Sequence, residues 1–163
     1  MSRINDTIFA MIEYFKGDPK RIQHFMSVYA FARAIGVKEH LPDDVQYLVE
    51  VAAITHNIGV KPSEEKYGSA AGEYLEIEGP PEAEKLLRRI GYDQEFIDKI
   101  CFLISHRNTY KNYDNAPYQI LTEANFLVNI NEDTFSVELA KSVKEKIFKT
   151  KSGIKMFEEM YNV

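Results

Sequence analysis

Four residues in this sequence offer nitrogen and oxygen atoms that could act together at one site: His24, the adjacent His56 and Asn57, and Asn125. Imidazole nitrogens bind transition metals, and amide oxygens bind metals or accept hydrogen bonds without carrying charge. Taken singly, such residues are more often hydrogen-bonded core residues than metal ligands. A buried polar group without a partner costs about 1–3 kcal/mol, so His24, His56 and Asn125 on three inward faces are expected to meet.

The spacing of apolar residues indicates which elements position these side chains. Apolar residues recur at intervals of three and four, which predicts an all-α protein without strands. His56 lies three residues after Ala53, and His24 lies four residues before Val28, so each histidine continues an apolar stripe. Asn125 stands in the middle of the apolar face of its own helix.

Capping residues, glycines and prolines set the expected helix boundaries. The predicted helices cover residues 8–15, 19–36, 41–59, 82–90, 94–105, 118–131, 136–149 and 154–160. Residues 63–78 are expected to contain a loop and a short helix. The run Gly79-Pro80-Pro81 is expected to break the chain, because proline lacks an amide hydrogen and disfavours a helical residue before it. We therefore expect a bundle of about seven to nine helices.

Length and composition favour one domain over residues 1–163. A chain of 163 residues with 45% hydrophobic content can bury one core but is short for two. A net charge of -5 offers no basic stripe, so neither nucleic acid nor a membrane is an expected partner. The sequence has no apolar run of about 18 residues and no signal-like start, so a cytoplasmic protein is expected. Cys101 lies in an apolar run and is expected to pack as a small hydrophobe.

The order of these motifs resembles the HD-domain superfamily of metal-dependent phosphohydrolases. That family has a histidine on an early helix, a His-Asp pair at the end of a later apolar helix, and a distant aspartate in a downstream helix. The matching segments are residues 21–25, 53–61, 105–110 and 123–129. They are similar to small, single-domain bacterial members whose helices end in His-Asp-Ile-Gly and Glu-Ala-Asp-Phe-Leu, and the resemblance covers most of the chain.

The resemblance implies a divalent metal such as Mn²⁺, Fe²⁺, Ni²⁺, Zn²⁺ or Mg²⁺ that activates water for attack on a phosphate ester. His24 and His56 match the two histidine ligands, and Asn57 and Asn125 stand where the family has aspartates. The amides remove two negative charges from the ligand set. Metal binding is therefore expected to be weak or absent.

The resemblance also draws attention to Lys61, His106 and Arg107. Lys61 follows the His-Asn-Ile-Gly turn and could bind a phosphate as a point charge, although an exposed loop lysine is equally often solvated. His106 matches the first of a small histidine cluster, and Arg107 adds a cation beside it as a ligand-binding candidate. Any catalytic role would fall to Asn57 and Lys61, but an amide cannot accept a proton near neutral pH.

Nearby glutamates offer little compensation for the missing carboxylates. Glu123 lies two residues from Asn125, about 200° around a helix axis, and Glu50 is expected to face away from the site. The remaining glutamates near the uncertain region, one of which could turn inward, are Glu64, Glu65 and Glu73.

Three functions are compatible with this sequence. The first is a degenerate HD protein that binds a small phosphate-containing or nucleotide ligand with weak or no hydrolysis. The second is an active phosphohydrolase for phosphomonoesters or nucleotides, with His24, His56 and His106 as nitrogen ligands. The third is a structural or protein-binding helical domain. The amphipathic C-terminal helices could pack on the core or cover a partner, so the sequence is also compatible with a homodimer.

Overall fold

The computed structural model describes residues 2–107 and 115–163. Within these ranges the chain forms nine α-helices and no β-strand, which confirms the all-α prediction. The helices are α1 (Ile4–Tyr14), α2 (Pro19–Lys38), α3 (Asp43–Thr55), α4 (Val60–Tyr67), α5 (Gly72–Ile90), α6 (Gln94–Ser105), α7 (Ala116–Glu132), α8 (Val137–Ile147) and α9 (Lys151–Tyr161).

Side-chain caps fix the starts of several helices. The Asp18 carboxylate accepts a hydrogen bond from the Arg21 amide at 3.2 Å, and Pro19 occupies the first turn of α2. At α6, Asp93 accepts a hydrogen bond from the Phe96 amide at 2.8 Å. These caps satisfy backbone donors that have no partner inside the helix.

Helices α2, α3 and α7 pack against one another and carry the candidate site residues. Their shared interior contains the fully buried side chains Val28 and Ile35 of α2, Ile54 of α3 and Leu127 of α7. Burial of each such aliphatic side chain contributes about 1.5–3 kcal/mol. The packing of these three apolar faces therefore brings their inward polar residues to one place.

The predicted break at Gly79-Pro80-Pro81 is wrong, because α5 continues through all three residues. Two missing amide hydrogens weaken the local ladder, but proline's fixed φ is compatible with a helix. The helix is held by extensive packing on α6, where the Cys101 thiol lies 3.5 Å from the Pro80 carbonyl oxygen. Burial raises the pKa of this thiol to about 11, as expected for a packed cysteine.

A close approach of Gly59 and Gly79 joins the end of α3 to α5. A Cβ atom on Gly59 would lie 2.7 Å from the Gly79 amide nitrogen, so only glycine fits there without a shift. Helix α3 ends at Thr55, four residues earlier than expected, and a turn follows in which the Val60 amide donates to the Asn57 carbonyl at 3.1 Å. The glycine contact thus positions the turn that carries Asn57.

None of the helices in the described part of the chain is long and apolar enough to span a bilayer.

Candidate functional site

His24, His56 and Asn125 meet between α2, α3 and α7. The ring centroids of His24 and His56 are 5.7 Å apart. Nε2 of His56 lies 3.1 Å from Oδ1 of Asn125. The three inward polar residues therefore lie together, as the sequence predicted. Their proximity alone does not assign them a chemical role.

His56 is a neutral imidazole with a fixed orientation. Its Nδ1 lies 2.8 Å from the Ala53 carbonyl oxygen, which can only accept, so Nδ1 carries the proton. Burial, followed by the charge of Arg107 and the neighbouring His24, lowers the pKa of His56 well below its usual value. The neutral ring then has a lone pair on Nε2, and Asn125 must turn its NH₂ group toward it to form a hydrogen bond.

His24 is held in a similar way by Glu132. Its Nδ1 lies 2.7 and 2.9 Å from the two carboxylate oxygens of Glu132, and its side chain is only 11% exposed. Nε2 of His24 is buried and has no hydrogen-bond partner among the described residues. Both histidines are therefore held through Nδ1, and Nε2 can make another contact. Histidines that bind metals are commonly oriented in this way.

Sequence reasoning missed Glu132. This residue lies seven positions after Asn125 on α7, and seven positions are close to two helical turns, so both residues share one face. The seven-residue spacing from Asn125 on one helix is the signal that could have indicated Glu132.

Arg107 contacts the second residue of the His-Asn pair. Its Nη1 donates to Oδ1 of Asn57 at 2.7 Å and to the His56 carbonyl oxygen at 2.9 Å. An amide oxygen accepts from a guanidinium without strain, and hydrogen bonds to a charged donor are stronger than neutral ones. The side-chain oxygen of Asn57 is thus already bonded to a cation.

The donors at this site do not match what a divalent metal requires. Among residues 2–107 and 115–163, no group of three or more His, Cys, Asp or Glu side chains could hold a metal ion. The two imidazoles are suitably oriented, but the oxygen of Asn57 is engaged by Arg107 and carries no formal charge. A hard divalent cation favours anionic oxygen ligands and is repelled by a neighbouring guanidinium.

A cavity of about 520 Å³ opens beside these residues. Its charged lining consists of three cationic residues, Lys20, Arg21 and Arg107, and three acidic residues, Asp18, Glu132 and Asp133. Its other lining residues are Phe15, His24, Asn57, Val60, Ala70, Leu75, Asn125 and Asn129. Polar groups of both signs thus surround a space large enough for a small ligand.

Two predicted site residues lie away from this cavity lining. Lys61 donates from Nζ to the Tyr14 carbonyl oxygen at 3.0 Å and lies over the Tyr14 ring. Nδ1 of His106 lies 2.9 Å from the Phe102 carbonyl oxygen, and its ring stacks on Phe102. Neither Lys61 nor His106 is among the lining residues, so their predicted ligand contacts would require a different arrangement.

Three of the glutamates considered as replacements have other contacts. Glu64 pairs with Arg21, and Glu50 accepts from Gln46 at 2.7 Å. Glu123 is fully buried and binds the start of α9, which agrees with its expected orientation away from Asn125.

The helical architecture of the described residues is an HD-domain fold. It is similar to the crystal structure of a predicted HD superfamily hydrolase from an uncultured Thermotogales bacterium, with a TM-score of 0.69 and 24% sequence identity. The similarity covers 99% of this chain and 86% of that chain. The sequence matches no protein-family model and no curated protein.

Proposed function

We propose that this protein binds a small phosphate-containing ligand, such as a nucleotide, in the cavity beside the His-Asn pair, with weak or no hydrolysis. The observation that carries this proposal is the contact of the Arg107 guanidinium with Asn57, 2.7 Å between Nη1 and Oδ1. It provides a positioned positive charge beside Asn57, the residue that the resemblance matches to a metal ligand of HD hydrolases.

The cationic residues of the cavity support an anionic ligand. A guanidinium presents several donors in a plane and matches the oxygen geometry of a phosphate. Lys20 and Arg21 lie in the first turn of α2 and also line the cavity.

The neutral amides argue against efficient hydrolysis. Neither Asn57 nor Asn125 can take a proton from an attacking water, and the lowered pKa of His56 makes its Nε2 a weak base. The alternative of an active site with three histidine ligands has less support, because His106 stacks on Phe102 outside the cavity lining.

Calorimetric titration with AMP and with inorganic phosphate tests the proposal. We expect Arg107→Gln to weaken binding about tenfold or more, since it removes a charged hydrogen-bond donor. Lys61→Gln is the matched control, because it removes a cation that lies outside the cavity lining, and it should leave affinity unchanged. Equal affinities of wild type and Arg107→Gln would contradict the proposal, as would rapid release of phosphate from AMP.

A further inference from the structure

We infer that Arg107 takes the place of the divalent cation in this fold, and that its charge excludes a metal even when the two carboxylates are restored. This inference concerns the cation at the His-Asn pair and holds whether or not the cavity ligand is a phosphate. It follows from a difference between the histidine nitrogens, which are oriented as metal ligands would be, and the Asn57 oxygen, which is bonded to Arg107.

The nitrogen half of a metal site is retained. The Nδ1 atoms of His24 and His56 are held by Glu132 and by the Ala53 carbonyl oxygen, at 2.7 and 2.8 Å. The other ring nitrogen, Nε2, lies 3.1 Å from Asn125 in His56 and has no hydrogen-bond partner among the described residues in His24. The two rings lie 5.7 Å apart between centroids. Outer contacts of this kind usually orient histidine ligands. The orientation of the two histidines therefore does not by itself prevent metal binding.

The oxygen half is reorganised around Arg107. The guanidinium bonds both the Asn57 side chain and the His56 carbonyl, so it is tied to the pair at two points. A carboxylate introduced at position 57 would first form an ion pair with this guanidinium, 2.7 Å from the present amide oxygen. The same positive charge would repel a divalent ion. Restoring the two aspartates alone should therefore give a weak metal site.

Four proteins separate these effects: wild type, Arg107→Gln, the double variant Asn57→Asp/Asn125→Asp, and the triple variant that combines all three changes. Equilibrium dialysis against Mn²⁺ or Ni²⁺, followed by metal analysis, gives the bound metal per chain. We expect wild type and Arg107→Gln to bind little metal and the double variant to bind weakly. The triple variant should bind about one equivalent, at least about tenfold more tightly than the double variant.

Lys61→Gln added to the double variant is the control for a general loss of positive charge. Because Lys61 contacts Tyr14 away from the cavity lining, this variant should bind metal no more tightly than the double variant. Arg107→Met in the double variant provides a second test with an apolar chain of similar length. Circular dichroism and thermal unfolding show which variants are folded.

Metal binding by the double variant that equals that of the folded triple variant would overturn the inference. So would the absence of binding by both the Arg107→Gln and Arg107→Met combinations, because the retained histidines would then not be competent ligands. If phosphate fails to bind wild type while the triple variant binds metal more tightly than the double variant, the proposed function fails and this inference stands.

Discussion

Glu132 contacts Nδ1 of His24 through both carboxylate oxygens, at 2.7 and 2.9 Å. The contact joins the last residue of α7 to the second turn of α2. Because a carboxylate only accepts hydrogen bonds, it fixes the proton of His24 on Nδ1 and leaves Nε2 as the atom that faces other groups. Glu132 is thus a positioning residue for His24, placed on the same face of α7 as Asn125.

Replacement of Glu132 should release the His24 ring. In Glu132→Ala we expect the ring to lose its fixed Nδ1–H form, whereas Glu132→Gln should retain it, because the glutamine oxygen can still accept. Side-chain ¹⁵N spectra of the histidines report which nitrogen carries the proton, with a His24→Gln variant assigning the signal. An unchanged His24 spectrum in Glu132→Ala would show that another contact sets the ring orientation.

The sequence predicted the site through helix periodicity, which is a local property. His24, His56 and Asn125 each extend an apolar stripe, so packing of those stripes was sufficient to bring them together. The bond between Arg107 and Asn57 spans fifty residues and depends on how α6 ends against the turn after α3. Periodicity carries no information about such a contact, although the residue types marked Arg107 as a ligand-binding candidate.

The error at Pro80 and Pro81 has the opposite cause. Local rules count the missing amide hydrogens and the reduced helix propensity, and both are real costs. They cannot include the packing of α5 on α6 or the close backbone approach of Gly59 to Gly79, which depend on distant parts of the chain. Tertiary packing therefore overrides the local signal in this helix.

The contact of Gly59, in the turn after α3, with Gly79 of α5 predicts that alanine is more destabilising at position 59 than at position 79. Gly59→Ala should lower the free energy of unfolding by about 1–3 kcal/mol, because its Cβ would meet the α5 backbone, which cannot move alone. Gly79→Ala should cost less, since its Cβ would meet a methyl group of Ile104 and alanine gains about 1 kcal/mol of helix propensity. Urea unfolding measures both values, and a fully stable Gly59→Ala protein would contradict the described approach.

The neutral state of His56 predicts a loss of stability in acid. The folded protein lowers the pKa of His56, whereas the unfolded chain protonates it near its usual value of 6.5. Below that pH the unfolded state therefore binds more protons than the folded state. The contribution of neutral His56 to the free energy of unfolding is complete above pH 6.5 and decreases as the pH falls. One such residue changes the free energy of unfolding by at most about 1.4 kcal/mol per pH unit.

Urea unfolding on both sides of that pH separates this contribution from that of other titrating groups. His56→Gln should reduce the acid-dependent loss, and Arg107→Gln should reduce it partly, because the Arg107 charge contributes to the lowered pKa. His40→Asn is the control, since His40 is exposed and asparagine accepts its positive φ of 58°. Parallel pH profiles for wild type and His56→Gln would show that His56 is not held neutral.

Glu123 attaches the C-terminal helices to α7, and its removal should destabilise the protein without altering the cavity. Its fully buried carboxylate accepts hydrogen bonds from the Lys149 and Thr150 amides, both at 3.0 Å, and from the Thr150 hydroxyl at 2.6 Å. Glu123→Ala leaves these donors unpaired, so we expect a loss of about 2–3 kcal/mol in the free energy of unfolding. Ligand affinity at Arg107 should remain unchanged.

A double-mutant cycle with Gly153 tests this attachment directly. A Cβ atom on Gly153 would overlap the Glu123 carboxylate, so Gly153→Ala should cost about 1–3 kcal/mol in wild type. In the Glu123→Ala background the same change should cost less by about 1 kcal/mol, although the Thr150 hydroxyl, 2.7 Å from the added atom, keeps the relief partial. Strictly additive effects would mean that Glu123 and Gly153 are not in contact.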